Sequence, residues 1–219
     1  MTRSMVRAVV FVLASMLALA GATVRAQAQT REQAVLALSS GEANARREAA
    51  SRLGDVGRMA DVAPLLQSLR DADAQTRELA EHAIWEIWAR SGNAEVDALY
   101  RTGVEQMAAG DLQQSIATFT RVITKKPDFA EGWNKRATLY FLAGDLKKSL
   151  ADCDEVMKRN PNHFGALSGY AQIYVRLERY ERAFDYSRRA LALNPNLGGT
   201  RQIMELTGQL LEQRRRQSI

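Results

Sequence analysis

The sequence predicts an all-α fold, a right-handed solenoid of stacked helix-turn-helix repeats. Pro127, Pro161 and Pro195 are separated by 34 residues each, and each closes a segment of the same apolar pattern. A second period, of 31 residues, runs through 31–92. The composition agrees: 4 prolines and 14 glycines in 219 residues leave a chain rich in Ala, Leu, Arg, Glu and Gln, side chains that lose little rotamer freedom in a helix. A helical pair of this length cannot bury its apolar face alone, so pairs stack and expose one concave surface on which to seek function.

Residues 1–28 read as a secretory signal peptide. Arg3 and Arg7 begin it, 8–20 is a thirteen-residue, mostly apolar run, and Val24-Arg25-Ala26 and Ala26-Gln27-Ala28 place cleavage near 26 or 28. The run falls short of the roughly 20 apolar residues that cross a bilayer, which argues against an uncleaved anchor. It is continuously apolar rather than amphipathic, which argues against a mitochondrial presequence. An exported, periplasmic chain is therefore expected, with no stable membrane span after cleavage. Loss of Arg3, Arg7 and Arg25 lowers the formal charge from +5 to +2. Acids exceed bases 11 to 8 in 27–95, and bases exceed acids 15 to 12 in 96–195. This mild asymmetry lacks a nucleic-acid footprint, and Arg214-Arg215-Arg216 reads as a solvated helix end.

The 31-residue shift places Leu38 on Leu69, Arg46 on Arg77, Ala49 on Ala80, Leu53 on Ile84 and Val56 on Ile87. Two units follow, 31–61 and 62–92, and the strings Ala45-Arg46-Arg47-Glu48-Ala49-Ala50 and Thr76-Arg77-Glu78-Leu79-Ala80 resemble short HEAT repeats. Such pairs can share a core with the array after them. Trp85 and Trp88, three apart on one face before Ser91-Gly92-Asn93, read as a wedge between adjoining repeats.

Registering the prolines at position 32 gives units 96–129, 130–163 and 164–197. Position 8 then holds Gly103, Ala137 and Ala171; position 20 holds Ser115, Ser149 and Ala183; position 27 holds Val122, Val156 and Ala190. Small side chains belong where helices cross closely, and Phe119, Trp133, Tyr140, Leu167, Tyr170 and Tyr174 supply complementary bulk. This pattern resembles the tetratricopeptide repeat, most clearly in the second unit. The departures are Gln106 at an aromatic position and Glu178 at the turn position held elsewhere by Gly110 and Gly144. A left-handed backbone at Glu178 would cost about 1 kcal/mol, so a different turn is expected there. Asp111 and Asp145 follow the turn glycines as caps for the second helices. After Gly198-Gly199-Thr200, the residues Ile203, Leu206, Leu210 and Leu211 share one face of a C-terminal capping helix at 198–219.

Candidates for chemistry are few. His82 and His163 lie in different arrays with no second ligand at helical spacing, so no metal is expected. Asp152, Asp154 and Glu155 read as solvent-facing partners of Lys147, Lys148 and Lys158. Cys153 is the only cysteine, which excludes an internal disulfide, and its position is a packing one. No phosphate loop or nucleophile elbow is present, so neither enzyme activity nor a cofactor is expected.

The repeat resemblance implies a concave groove lined by Tyr100, Arg101, Val104, Glu131, Asn134, Lys135, Thr138, Ser168, Gln172 and Val175. That mixed polar set suits a protein or peptide segment. Some relatives clamp a chaperone's C-terminal carboxylate; the corresponding residues here are Tyr100, Val104, Lys135, Gly165 and Gly169, of which Lys135 alone is cationic, so that activity is not carried over. The expected function is an exported scaffold, an adaptor or assembly factor of the bacterial cell envelope. The alternatives are a structural subunit of a permanent complex and, because short HEAT repeats also occur in bilin lyases, an enzyme-accessory protein.

Overall fold

The structure, a computed structural model, describes residues 29–217; the expected signal peptide lies outside the described residues. From Arg31 onward the chain forms one compact unit of paired helices: α1 (Arg31–Ala37), α2 (Ala43–Val56), α3 (Val62–Ser68), α4 (Ala74–Trp88), α5 (Ala94–Ala108), α6 (Leu112–Lys125), α7 (Ala130–Leu142), α8 (Leu146–Arg159), α9 (Phe164–Arg176), α10 (Tyr180–Leu193) and α11 (Gly198–Gln217). It is an α-solenoid of helical repeats.

The first two pairs keep the 31-residue period in space: α3 starts 31 residues after α1, and α4 starts 31 after α2. The matched arginines do matched work. Arg46 donates to the carbonyls of Ser40 and Gly41, and Arg77 donates to those of Asp71 and Ala72. Arg46 and Arg47 also reach forward into the next pair, each forming a two-pronged bridge, to Asp71 at 2.7 and 2.8 Å and to Asp73 at 2.7 and 2.5 Å. The planar guanidinium matches the carboxylate edge, which gives the contact direction as well as attraction. Asp73 then caps α4 through the Thr76 N–H.

In the three later units, helix stops and starts repeat with the period. Lys126, Asn160 and Asn194 leave helical geometry immediately before the prolines, as the proline ring requires of its predecessor. Ser115 Oγ donates to the Gly103 carbonyl and Ser149 Oγ to the Ala137 carbonyl, both at 2.8 Å, and these bonds pin the two helices where they cross. Asp111 and Asp145 cap α6 and α8 as expected.

The Glu178 turn does not differ. Its φ of 54° matches the sense of Gly110 and Gly144, at 80° and 81°. The same closing bond spans all three turns: the N–H of Asp111, Asp145 and Arg179 reaches the carbonyl of Gln106, Tyr140 and Tyr174, respectively. Tertiary packing of the pair overrides the local preference of one residue.

Two further expectations are corrected. Asp152 is buried rather than solvent-facing, bridged by both prongs of Arg136 at 2.7 and 2.8 Å; position 23 of that unit turns inward toward the preceding helix. On α11 the buried residues are Thr200 and Thr207, with Ile203 half-buried between them, while Leu206 is 49% exposed. Leu206 stands about 100° round the helix from its neighbour Thr207, which places it off the packed face that Thr207 marks.

The N-terminal pairs do not end their packing at the neighbouring unit. Their core of Leu53, Leu65, Leu69, Ala83, Ile84, Ile87 and Trp88 takes in Phe164 at the start of α9, with Leu193 and Leu197 against it. Asn196 donates to the Leu69 carbonyl at 2.9 Å, and Arg70 donates to the carbonyl of Ala192. The α1–α4 segment therefore folds back onto the third unit.

Candidate binding groove

The first helices of successive units touch one another, α5 on α7, α7 on α9 and α9 on α11. They form the inner, shorter-radius layer, so their outward side chains define the concave face. The ten residues that the repeat register assigns to a groove lie on α5, α7 and α9.

The structure divides these ten residues into two groups. Arg101, Val104, Thr138 and Gln172 are exposed, and Lys135, Ser168 and Val175 are half-buried. Tyr100, Glu131 and Asn134 are buried and already engaged. Glu131 is the hub of that second group. It accepts from Tyr100 OH at 3.4 Å, from Asn134 Nδ2 at 3.1 and 3.2 Å, from Lys135 Nζ at 3.1 Å and from His163 Nε2 at 2.8 Å. His163 Nδ1 meanwhile accepts from the Ala166 N–H and caps α9, so the ring proton sits on Nε2 and points at Glu131. Burial works against the Glu131 charge, but the hydrogen bond from His163 and the adjacent Lys135 hold its carboxyl below the ordinary glutamate value. Burial and the same carboxylate push the Tyr100 phenol upward.

This hub is closed from the side of the N-terminal pairs. Trp88 stacks on His163, and Trp85 meets His163 and Phe164 edge-on. Trp85 also lies under the Lys135 ammonium, 5.8 Å from its ring centroid. A Cβ placed on Gly165 would stand 2.4 Å from the Trp85 ring, so glycine there admits the indole. The tryptophans do join repeats, but they join the second pair to the third later unit, 75 residues on.

Glu81 and Trp85 of α4 form one bank of an open depression whose other bank is Gly165, Ser168 and Gln172 of α9 with Thr200 and Ile203 of α11. Ser168 is fixed there by a 2.6 Å hydroxyl bond to Thr200. Deeper, between α7 and α9, lies a pocket of about 80 Å³ bordered by Asn134, Thr138 and Gln172 above and by Phe141, Cys153 and Ile173 below. Sequence reasoning named the three upper residues and missed the lower ones, together with the Trp85 wall. The repeat register marks outward positions of the first helices, whereas Phe141 and Ile173 are inward positions of those same helices, Cys153 comes from the partner helix α8, and Trp85, on the bank of the neighbouring depression, comes from another array. Cys153, expected to be core, is buried, and burial with Asp152 and Asp154 pushes its thiol up to about 12, leaving it neutral. Among the described residues no cluster of three or more His, Cys, Asp or Glu side chains could hold a metal ion, and no helix is long and apolar enough to cross a membrane.

Residues 100–162 match the tetratricopeptide repeat family model, and residues 165–197 match a second model of the same description. The chain carries tetratricopeptide repeats. A TPR repeat-containing protein of Rhizobium etli is 32% identical over 126 residues, which cover 54% of this chain and 62% of that relative's length, just under two thirds. Among solved structures, the Sgt2 TPR domain from Aspergillus fumigatus aligns with a TM-score of 0.54 at 20% identity, over 57% of this chain and 83% of that one. The first TPR of Spaghetti (RPAP3), solved bound to the HSP90 peptide SRMEEVD, aligns at 0.52 with 21% identity, over 53% and 93%. These likenesses are of fold. The family matches begin at residue 100, so the two earlier pairs stand on their 31-residue geometry alone.

Proposed function

We propose that this protein is a scaffold whose inner repeat face holds a segment of a partner protein, and that it works as an adaptor or assembly factor in the cell envelope after export. The observation that carries the reading is the half-open groove itself. Beside a formed pocket it presents the exposed Gln172 amide and the exposed Thr138 hydroxyl, which donates to the Asn134 carbonyl and keeps its acceptor side free, while Glu81 and Trp85 of α4 bank it on one side. Exposed amide and hydroxyl groups over a rigid helical floor suit an extended chain, whose own N–H and C=O groups need partners. A solved repeat domain of the same fold carries a bound peptide, which supports the mode of binding and leaves the ligand open. The export half of the proposal rests on residues 1–28.

The buried hub narrows the groove's working residues. Asn134 and Lys135 are tied to Glu131, so substituting them disturbs the fold, whereas Thr138 and Gln172 can be changed from the solvent side. Affinity capture from the native compartment should recover a partner with the wild-type protein and lose it with Thr138→Arg combined with Gln172→Arg, at unchanged helicity. Equal recovery by both proteins would move the binding surface elsewhere.

A further inference from the structure

We infer that the pocket between α7 and α9 selects one short aliphatic side chain of an extended partner segment, and that Arg176 receives an acidic side chain next to it. The inference rests on the groove-binding function proposed above and adds what the groove reads.

Size comes first. The pocket encloses about 80 Å³, room for about three water-sized groups, which is the bulk of a valine or isoleucine side chain. Its depth exists because α9 carries no side chain at Gly165 or Gly169. A Cβ on Gly169 would rest 3.6 Å from Cys153 Sγ, in ordinary contact, so a longer side chain from that position would fill the space a ligand enters. Gly165 borders the pocket, and the Trp85 ring packs against it from the N-terminal pairs.

Chemistry agrees with size. Ala137, Phe141, Cys153 and Ile173 line the pocket, and the thiol at its floor is neutral. A charged ligand side chain entering here would lose its hydration with no counter-charge to replace it. The polar atoms sit higher. Asn134 spends its Nδ2 on Glu131, which leaves Oδ1 to accept a main-chain N–H, and Gln172 offers both a donor and an acceptor from α9.

The charge beside the pocket is one-sided. Arg176, the last residue of α9, lies over the Phe141 ring at 3.9 Å and donates Nη1 to the Phe141 carbonyl at 3.0 Å. Phe141 is itself a pocket wall, so the guanidinium stands at the rim. Among the described ion pairs none includes Arg176 or the exposed Arg101. A guanidinium with spare donors and no carboxylate complements an acidic residue adjacent to the buried aliphatic one.

The test is selection of phage-displayed random dodecapeptides on the full protein, followed by affinity measurements with synthetic copies. Selected peptides should share a Val, Ile or Leu beside an Asp or Glu. Replacing that aliphatic residue by Ala should weaken binding roughly tenfold or more, as loss of methylenes from a fitted pocket does. The same replacement should have little effect on the Gly169→Leu variant, whose pocket is already filled. Arg176→Gln should remove the preference for the acid alone. Should Gly169→Leu not fold, Gly169→Ala serves in its place with a smaller effect. Peptides that lose binding to Thr138→Arg with Gln172→Arg yet ignore both Gly169→Leu and their own aliphatic residue overturn the pocket and leave the groove standing. If no peptide is selected, or binding ignores the groove variant, both fall.

Discussion

Trp88 lies nearly flat on His163, ring centroids 4.2 Å apart and planes inclined by 19°. One ring belongs to the second N-terminal pair and the other caps the first helix of the third tetratricopeptide unit, so the contact joins the two arrays. The Trp88 Nε1 has no hydrogen-bond partner among the described residues; the indole therefore acts by packing. Trp88→Ala should cost about 3–5 kcal/mol, as deletion of a large buried aromatic does, read as a lowered urea midpoint. Helix content at low denaturant should be kept, because each pair retains its own backbone bonds. A midpoint unchanged from the wild type would mean that the arrays do not depend on this contact.

The Glu131 hub predicts acid sensitivity. Its carboxyl is held below the ordinary glutamate value in the folded chain, so the stability it contributes is present above the unfolded value and lost as pH falls through the folded one. Asp71, lowered chiefly by its Arg46 bond, acts in the same direction. Urea midpoints should fall between pH 7 and pH ~3, across the usual carboxylate range. Glu131→Gln should start lower at pH 7 and fall less over that interval. Parallel declines in the two proteins would assign the sensitivity elsewhere.

Gly103 and Phe119 form a matched pair. A Cβ at residue 103 would stand 2.8 Å from the Phe119 ring, while the next units place Ala137 and Ala171 at the same position, opposite the smaller Cys153 and Ser187. Gly103→Ala should destabilise by about 1–3 kcal/mol from overpacking, against a helix-propensity gain of about 1 kcal/mol. Adding Phe119→Leu should recover part of the loss. The double-mutant cycle measures that coupling, and strict additivity would refute it.

Glu178 holds φ 54° where its two counterparts are glycine. Glu178→Gly should stabilise the protein by up to about 1 kcal/mol, because the left-handed penalty exceeds the added freedom of the unfolded chain. Thermal unfolding would register this as a rise of a few degrees; a fall would show that the Glu178 side chain supports the turn.

Cys153 should resist thiol reagents in the folded state, since it is buried and its thiol is pushed up to about 12. Labelling with an aromatic disulfide reagent near neutral pH should follow the unfolding transition. Rapid labelling without denaturant would show that the pocket opens to its floor.

The 34-residue period made much of the later array legible before any coordinates. It named the crossing residues Gly103, Ser115, Ala137 and Ser149, the caps Asp111 and Asp145, and the outward face carrying Thr138 and Gln172. These are local or nearest-neighbour relationships, and a repeat writes them into the sequence at fixed spacing. The contacts of Trp85, Trp88 and Arg70 with residues 163–196 have no period, because they join one array to another once. Periodicity likewise could not distinguish Glu131 and Asn134, which turn into the hub, from Arg101 and Val104, which face water. Burial of the former comes from His163 and the α4 tryptophans, both remote in sequence.

The placement of Phe164 within the N-terminal core has a consequence for synthesis. A chain made from its amino end presents Trp85 and Trp88 well before Phe164 can cover them. Sealing those aromatics requires a contact separated by about eighty residues, an association with a larger loop-closure cost than any helix pairing that precedes it. The first two pairs are thus the earliest to emerge and among the last to be completed, and in that interval their bare indoles offer a surface for a chaperone to shield.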